Sequence, residues 1–312
     1  MKSKLAIFLW GALVCSSLAQ EKVYQVVAEP GDGIYSILRK QGLDPVENYQ
    51  AFVTLNAKNI KDGSFLHVGR SYYIPFAADS FKNMGIRIVL PMGEEEPIFE
   101  GDFEKLSRKS NTLKNAIYYL ITENRGNATN GFAKEVESNL TLMLLEHGAQ
   151  VYVVDDKSLS FQDLSEAGDL ERDLMGRYVE AINKKYLKHA GKYQRLLIIR
   201  SNGAIDRKMD ISVYHHKKSE EGQRLSQNLR EAFQKHSVRS QSVEDVEAVF
   251  QESNMLYLVK NVLPAVSLMD LDGTSRESKA KSIEVLTNKD ALAKWLANGI
   301  SKDYADLEIE EE

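Results

Sequence analysis

The chain has 312 residues, a net charge of -5 and a pI near 5.8, with ordinary apolar content. On a prior of roughly 100 to 200 residues per domain, that length accommodates two domains. The acidic balance supplies no overall cationic field, which argues against nucleic acid as a partner and does not favour anionic membranes.

The chain opens with Lys2 and Lys4, an apolar run from Leu5 to Val14, and Ser17-Leu18-Ala19. Small residues at both positions a signal peptidase reads predict a signal peptide over 1–19, cleaved before Gln20. The apolar run falls short of the ~20 residues of a membrane span, and no later segment qualifies. Cys15, the single cysteine, lies inside that signal, so the mature chain has neither disulfides nor a catalytic thiol.

Next comes a short alternating strand, Tyr24 to Val27, and the turn cluster Pro30-Gly31-Asp32-Gly33. Ile34, Ile37 and Leu38 before Gly42 predict a helix, as do Val46, Tyr49, Phe52 and Val53 between Pro45 and Leu55. Ser71 to Pro75 closes the segment as a strand. Tyr24-x-Val26, Gly31-Asp32-Gly33, Asn56 and Gly69-x-x-Tyr72-x-Ile74-Pro75 together resemble a LysM domain, the small glycan-binding module of cell-wall proteins, over 23–75. The resemblance implies a groove for chains containing N-acetylglucosamine, lined by Gly31, Asp32, Gly33, Ile34, Tyr35, Asn56, Asn59 and Ile60, between the Gly31–Tyr35 and Asn56–Lys61 loops. By local chemistry alone the glycines serve a turn and Asn56 caps a helix.

Residues 76–84 read as a linker. Beyond it, strand-like runs at Ile86–Leu90, Gln150–Val154, Arg195–Arg200, Ile211–Tyr214, Leu256–Val259 and Ala265–Leu268 alternate with helical stripes. The stripes run from Phe132 to His147, behind Ser219, and behind Asn288, and a further helix is expected from Phe103 to about Glu123. This predicts an α/β domain over 85–304, with a roughly six-stranded, largely parallel or mixed sheet flanked by helices. The acidic tail, 305–312, is expected to be disordered.

Leu144 to Val151, Leu197 to Asn202, Val213-Tyr214 before Ser219, Pro264-Ala265-Val266 and Gly299-Ile300 with Tyr304, in that order, resemble the zinc-dependent N-acetylmuramoyl-L-alanine amidases of the type-3 family. The resemblance implies one zinc held by two histidines and a glutamate, with a further glutamate as general base. The first histidine falls on Glu94, after the Ile86–Leu90 strand; the metal-binding glutamate falls on Asn130, the second histidine on Arg200 and the general base on Met269. None of these four residues repeats the family's. An Arg200–Glu94 ion pair in place of the metal is one expectation. Glu94, Glu95, Glu96, Asp270 and Asp272 read as a solvated acidic loop, in preference to an oxygen site for calcium or magnesium.

The six histidines are expected in surface or capping roles, with His147 suited to the end of its helix. The reading that follows is an exported protein of the periplasm or cell envelope of a bacterium. It binds peptidoglycan, needs no cofactor, and carries an amidase-like domain that grips wall fragments or regulates a wall hydrolase or other envelope protein. The alternatives are an active amidase with displaced ligands, for which zinc would be the cofactor, and an envelope scaffold.

Overall fold

The computed structural model describes residues 24–60, 65–98, 106–125, 131–156, 168–202, 205–237, 253–273 and 283–310. The expected signal peptide, Cys15, Lys61 and Asn130 lie outside them.

The first unit has the expected βααβ order: β1 (Tyr24–Val27), α1 (Ile34–Lys40), α2 (Pro45–Leu55) and β2 (Ser71–Ile74), with β1 antiparallel to β2. Asp44 starts α2, accepting from the Val46 amide at 2.8 Å, and Pro45 at the first helical position has no amide to satisfy. Ile34, Ile37, Leu38, Phe52, Tyr72 and Ile74 form a small core. Asn56 joins its two layers. The side chain is 1% exposed, donates to the carbonyls of Phe52 (2.9 Å) and Tyr73 (2.7 Å), and accepts from the Tyr73 amide at 2.8 Å. Such an amide satisfies backbone groups at the end of α2 and along β2 together.

A short helix, α3 (Phe81–Met84), leads into the larger domain. Its elements are β3 (Gly85–Leu90), β4 (Glu94–Pro97), β5 (Ala116–Arg125), α4 (Phe132–Glu146), β6 (Gln150–Asp156), α5 (Gly168–Lys188), β7 (Tyr193–Asn202), β8 (Lys208–His215), α6 (Glu220–Gln234), α7 (Ser253–Asn261), β9 (Ala265–Asp272), β10 (Ile283–Leu286) and α8 (Lys289–Glu310). They build a mixed eight-stranded sheet in the order β10-β8-β9-β7-β5-β6-β3-β4, with β3, β6, β5, β7 and β9 parallel. One face packs against α4, α6 and α8, the other against α5 and α7. Two helix starts are as expected: Ser219 accepts from the Gly222 amide at 3.0 Å, and Asn288 from the Ala291 amide at 2.9 Å.

Four expectations are corrected. The segment expected to be helical from Phe103 to Glu123 instead enters β5 from Ala116, in the middle of the sheet, and its residues 103–105 lie outside the described ones. Tyr118 and Leu120 enter one core while Ile117, Tyr119 and Ile121 enter the other. A strand covered on both faces is apolar throughout and loses its two-residue alternation. Conversely, Leu256–Val259, expected as a strand, belongs to helix α7. The sheet has eight strands because the short edges β4 and β10 are too polar or too brief to register as strands in sequence. Finally, the acidic tail is helical through Glu310, and Asp303 is fully buried.

Candidate functional site

In an open α/β sheet, chemistry gathers at the carboxyl ends of the parallel strands. There, Arg200 of β7 stands in register with Glu123 on β5 and Asp270 on β9. All three lie on the α5/α7 face, continuing the rows of Ile121, Ile198 and Leu268. Arg200 Nε donates to Glu123 Oε2 at 2.8 Å, and Nη1 lies 3.5 Å from Asp270 Oδ1. The residues are 5%, 3% and 9% exposed. Burying such ions costs several kcal/mol each. A guanidinium between two carboxylates offsets that cost only while all three are present.

This geometry does not fit zinc. An arginine has no lone pair to offer a metal, and its fixed charge repels a divalent cation. Met269, at the general-base position, is completely buried on the opposite face, in the core with Ile199 and Leu271. A thioether there carries no proton.

Glu94 does not reach this cluster. It begins the exposed edge strand β4, paired with Val89, and three strands separate β4 from β7. At about 4.8 Å per strand, the two are about 19 Å apart across the sheet. The expected Glu94–Arg200 ion pair is therefore absent, and Glu123 and Asp270 take its place. The acidic set also divides: β4, with Glu94, Glu95 and Glu96, is five spacings from β9, with Asp270 and Asp272, or about 24 Å. Among the described residues no group of three or more His, Cys, Asp or Glu is placed to hold a metal.

The histidines are dispersed. His147 caps α4, as expected, with Nδ1 2.7 Å from Ser110 Oγ. His189 Nε2 lies 2.8 Å from the Tyr152 hydroxyl, and the His236 ring stacks on Trp295 at 4.4 Å.

Sequence reasoning missed a second polar cluster, on the α4 face. Glu137, 1% exposed, lies 2.8 Å from Lys134 Nζ, which also reaches Asp155 Oδ2 at 3.0 Å. Burial raises the Glu137 carboxyl above its ordinary range, against the pull of Lys134. The only sequence signal is a lysine three residues before a glutamate in a helix, which is commonplace at surfaces. An open cavity of about 560 Å³ lies nearby, lined by Phe132, Glu135, Asn139, Ile205, Lys289 and Asp290 among others. Lys289 pairs with Glu135 there, and Asn139 donates to Asp290 at 2.8 Å.

In the first unit the eight expected groove residues divide by geometry. Ile34 and Ile60 belong to the core, and Asn56 is committed to backbone. Asp32 accepts from the Glu29 amide at 2.9 Å and pairs with Lys40 at 2.8 Å. Burial pushes its carboxyl up, but these donors outweigh it and hold Asp32 below its ordinary range. Gly31, at φ +91°, and Gly33 leave open space where a Cβ would stand. Tyr35 is 48% exposed and tilts against Tyr49 at 5.6 Å. Asn59 reaches the Ser71 carbonyl at 3.4 Å. Gly31, Gly33, Tyr35 and Asn59 thus form the accessible part.

No protein-family model matches the sequence, and no curated protein does. Among solved structures, the chain is similar to the CwlD amidase of Clostridioides difficile, solved in complex with the GerS lipoprotein, at 12% identity over 61% of this chain and 98% of that one, with a TM-score of 0.42. It is also similar to the N-acetylmuramyl-L-alanine amidase Ami1 of Mycobacterium abscessus, at 13% identity over 61% and 99%, TM-score 0.40. A metallo-carboxypeptidase of Burkholderia cenocepacia overlaps at 12% identity over 63% and 58%, TM-score 0.36. Overlaps this loose are a likeness of outline and assign neither residue nor activity.

Proposed function

We propose that the chain is an exported protein of the bacterial periplasm or cell envelope that binds peptidoglycan through its βααβ unit, read as a LysM module. Its larger domain is read as an amidase-like scaffold without a zinc centre, acting in wall binding or in the regulation of a wall hydrolase. The observation that carries this reading is the guanidinium of Arg200 held between Glu123 and Asp270, with Met269 buried on the far face. At position 200 a guanidinium offers a metal no lone pair, and at position 269 a thioether offers no titratable group to act as base.

Support for wall binding comes from the open backbone at Gly31 and Gly33 beside the exposed Tyr35 ring. N-acetylglucosamine chains are the ligand class this surface is read to take. A single module without avidity suits tethering better than tight capture.

The test is co-sedimentation of the full chain with insoluble sacculi, together with a digestion assay with and without added zinc. The chain is expected to sediment, less so when Gly33→Gln or Tyr35→Ala alters the loop, and to release no stem peptides. A chain that stays in the supernatant overturns wall binding. Zinc-dependent release of stem peptides overturns the metal-free reading.

A further inference from the structure

The net charge is -5, yet four exposed lysines lie near one corner of the larger domain. Lys184 and Lys188 near the end of α5, Lys192 in the turn that follows and Lys260 near the end of α7 are all exposed. Among the described residues none of the four has a carboxylate partner. Lys58, Lys114, Lys217, Lys218 and Lys294 are likewise exposed without one; what sets the four apart is their place at a corner that also exposes two leucines.

Two hydrogen bonds bring these elements to one corner. Asn183 Nδ2 donates to the Asn261 carbonyl at 2.8 Å, and Asn183 Oδ1 accepts from the Leu263 amide at 2.8 Å. Leu187, one turn beyond Asn183 on the same face of α5, is 65% exposed, and Leu263 is 49% exposed. From Phe81 onward, the other exposed large apolar side chains among the described residues are Met92 and Leu286. The field of this corner registers on His189. Burial first, then Lys192, Lys188 and Lys185, hold its imidazole below the ordinary range. Glu180, a turn before Lys184, is an exposed acidic side chain on the same helix.

Helix-end electrostatics favour Lys188 and Lys260 in the last turns of their helices. They account neither for Lys192, beyond the helix, nor for two leucines facing solvent between the lysines. We propose that this corner docks on an anionic phospholipid bilayer, with the four lysines at the headgroups and Leu187 and Leu263 entering the acyl boundary. Apolar side chains on the same corner as exposed lysines suit a surface that is charged outside and apolar just beneath. The small buried area makes the contact reversible. This inference is independent of the wall-binding reading, since it uses no residue of the βααβ unit.

The test is co-sedimentation of the full chain with vesicles of mixed phosphatidylglycerol and phosphatidylcholine, against pure phosphatidylcholine, at low and physiological salt. About tenfold more binding to the anionic vesicles is expected, declining with salt. The triple variant Lys184→Glu, Lys188→Glu, Lys260→Glu is expected to abolish binding with an unchanged circular dichroism spectrum. Leu187→Ser with Leu263→Ser is expected to weaken it about tenfold while keeping the salt dependence. Equal binding to both vesicles, no binding at low salt, or binding untouched by the lysine variant overturns the proposal. So does a leucine variant that binds like the parent while soluble polyglutamate displaces the protein, because that pattern marks a soluble polyanion as the ligand.

Discussion

Arg200 and Glu123 stand directly opposite each other on the adjacent parallel strands β7 and β5, and the guanidinium Nε donates to Glu123 Oε2 across 2.8 Å. Removing one partner of such a pair strands an opposite charge inside the protein. Arg200→Ala is therefore expected to cost about 3–5 kcal/mol of stability in chemical denaturation. The triple replacement Arg200→Met, Glu123→Gln, Asp270→Asn is expected to cost clearly less, because none of the three charges is then left without its partner. Equal losses for the two would show that the ion pair is not what holds this part of the sheet.

At the other end of the sheet, Asp303 fastens the last helix. It takes a hydrogen bond from the Tyr193 hydroxyl and another from Arg224 Nε at 2.9 Å, while Arg195 Nε lies 3.5 Å away. Asp303→Ala leaves arginines facing an empty site. It is expected to cost about 3–5 kcal/mol, against about 1–2 kcal/mol for Tyr193→Phe, which removes one hydrogen bond. Thermal or urea unfolding of both variants checks the ranking.

Glu137 sets a pH dependence whose sign follows from its raised carboxyl. Between the unfolded and folded pKa values the folded state holds the extra proton. Stability therefore falls as pH rises through that window and is level above it. Lys134, Asp155 and Arg87 are the charged groups that act on it. Glu137→Gln is expected to flatten this part of the profile and raise stability at neutral pH relative to the parent, with Lys134 retaining Asp155. A variant that loses stability at neutral pH while keeping the parent's slope would contradict the assignment.

Asn56 and Tyr35 separate structure from binding in the first unit. Asn56→Ala removes three hydrogen bonds from a buried amide, and is expected to destabilise the unit by about 2–4 kcal/mol. Tyr35→Ala, on the exposed face, is expected to leave stability within about 0.5 kcal/mol while reducing retention on sacculi. Denaturation monitored by tyrosine fluorescence, paired with co-sedimentation, distinguishes the two.

The βααβ order of the first unit, the Ser219 and Asn288 helix starts and the end of α4 at His147 were legible in sequence, since each rests on chemistry within a few neighbouring residues. A cap, a turn glycine or an apolar stripe acts locally and leaves its pattern in the chain. What the tertiary structure decided was position across the sheet. Strand order placed Glu94 on an outer edge, about 19 Å from Arg200, and placed Glu123 beside it from a segment whose doubly buried run resembled a helix. The same holds for Asp303, next to an acidic tail, whose burial shows only where α8 brings it to Tyr193, Arg195 and Arg224. Spacing along the chain reports which residues share a face of one element. Only the pairing of strands and the docking of helices determine which distant charges meet, because burial energy depends on those partners and not on sequence neighbours.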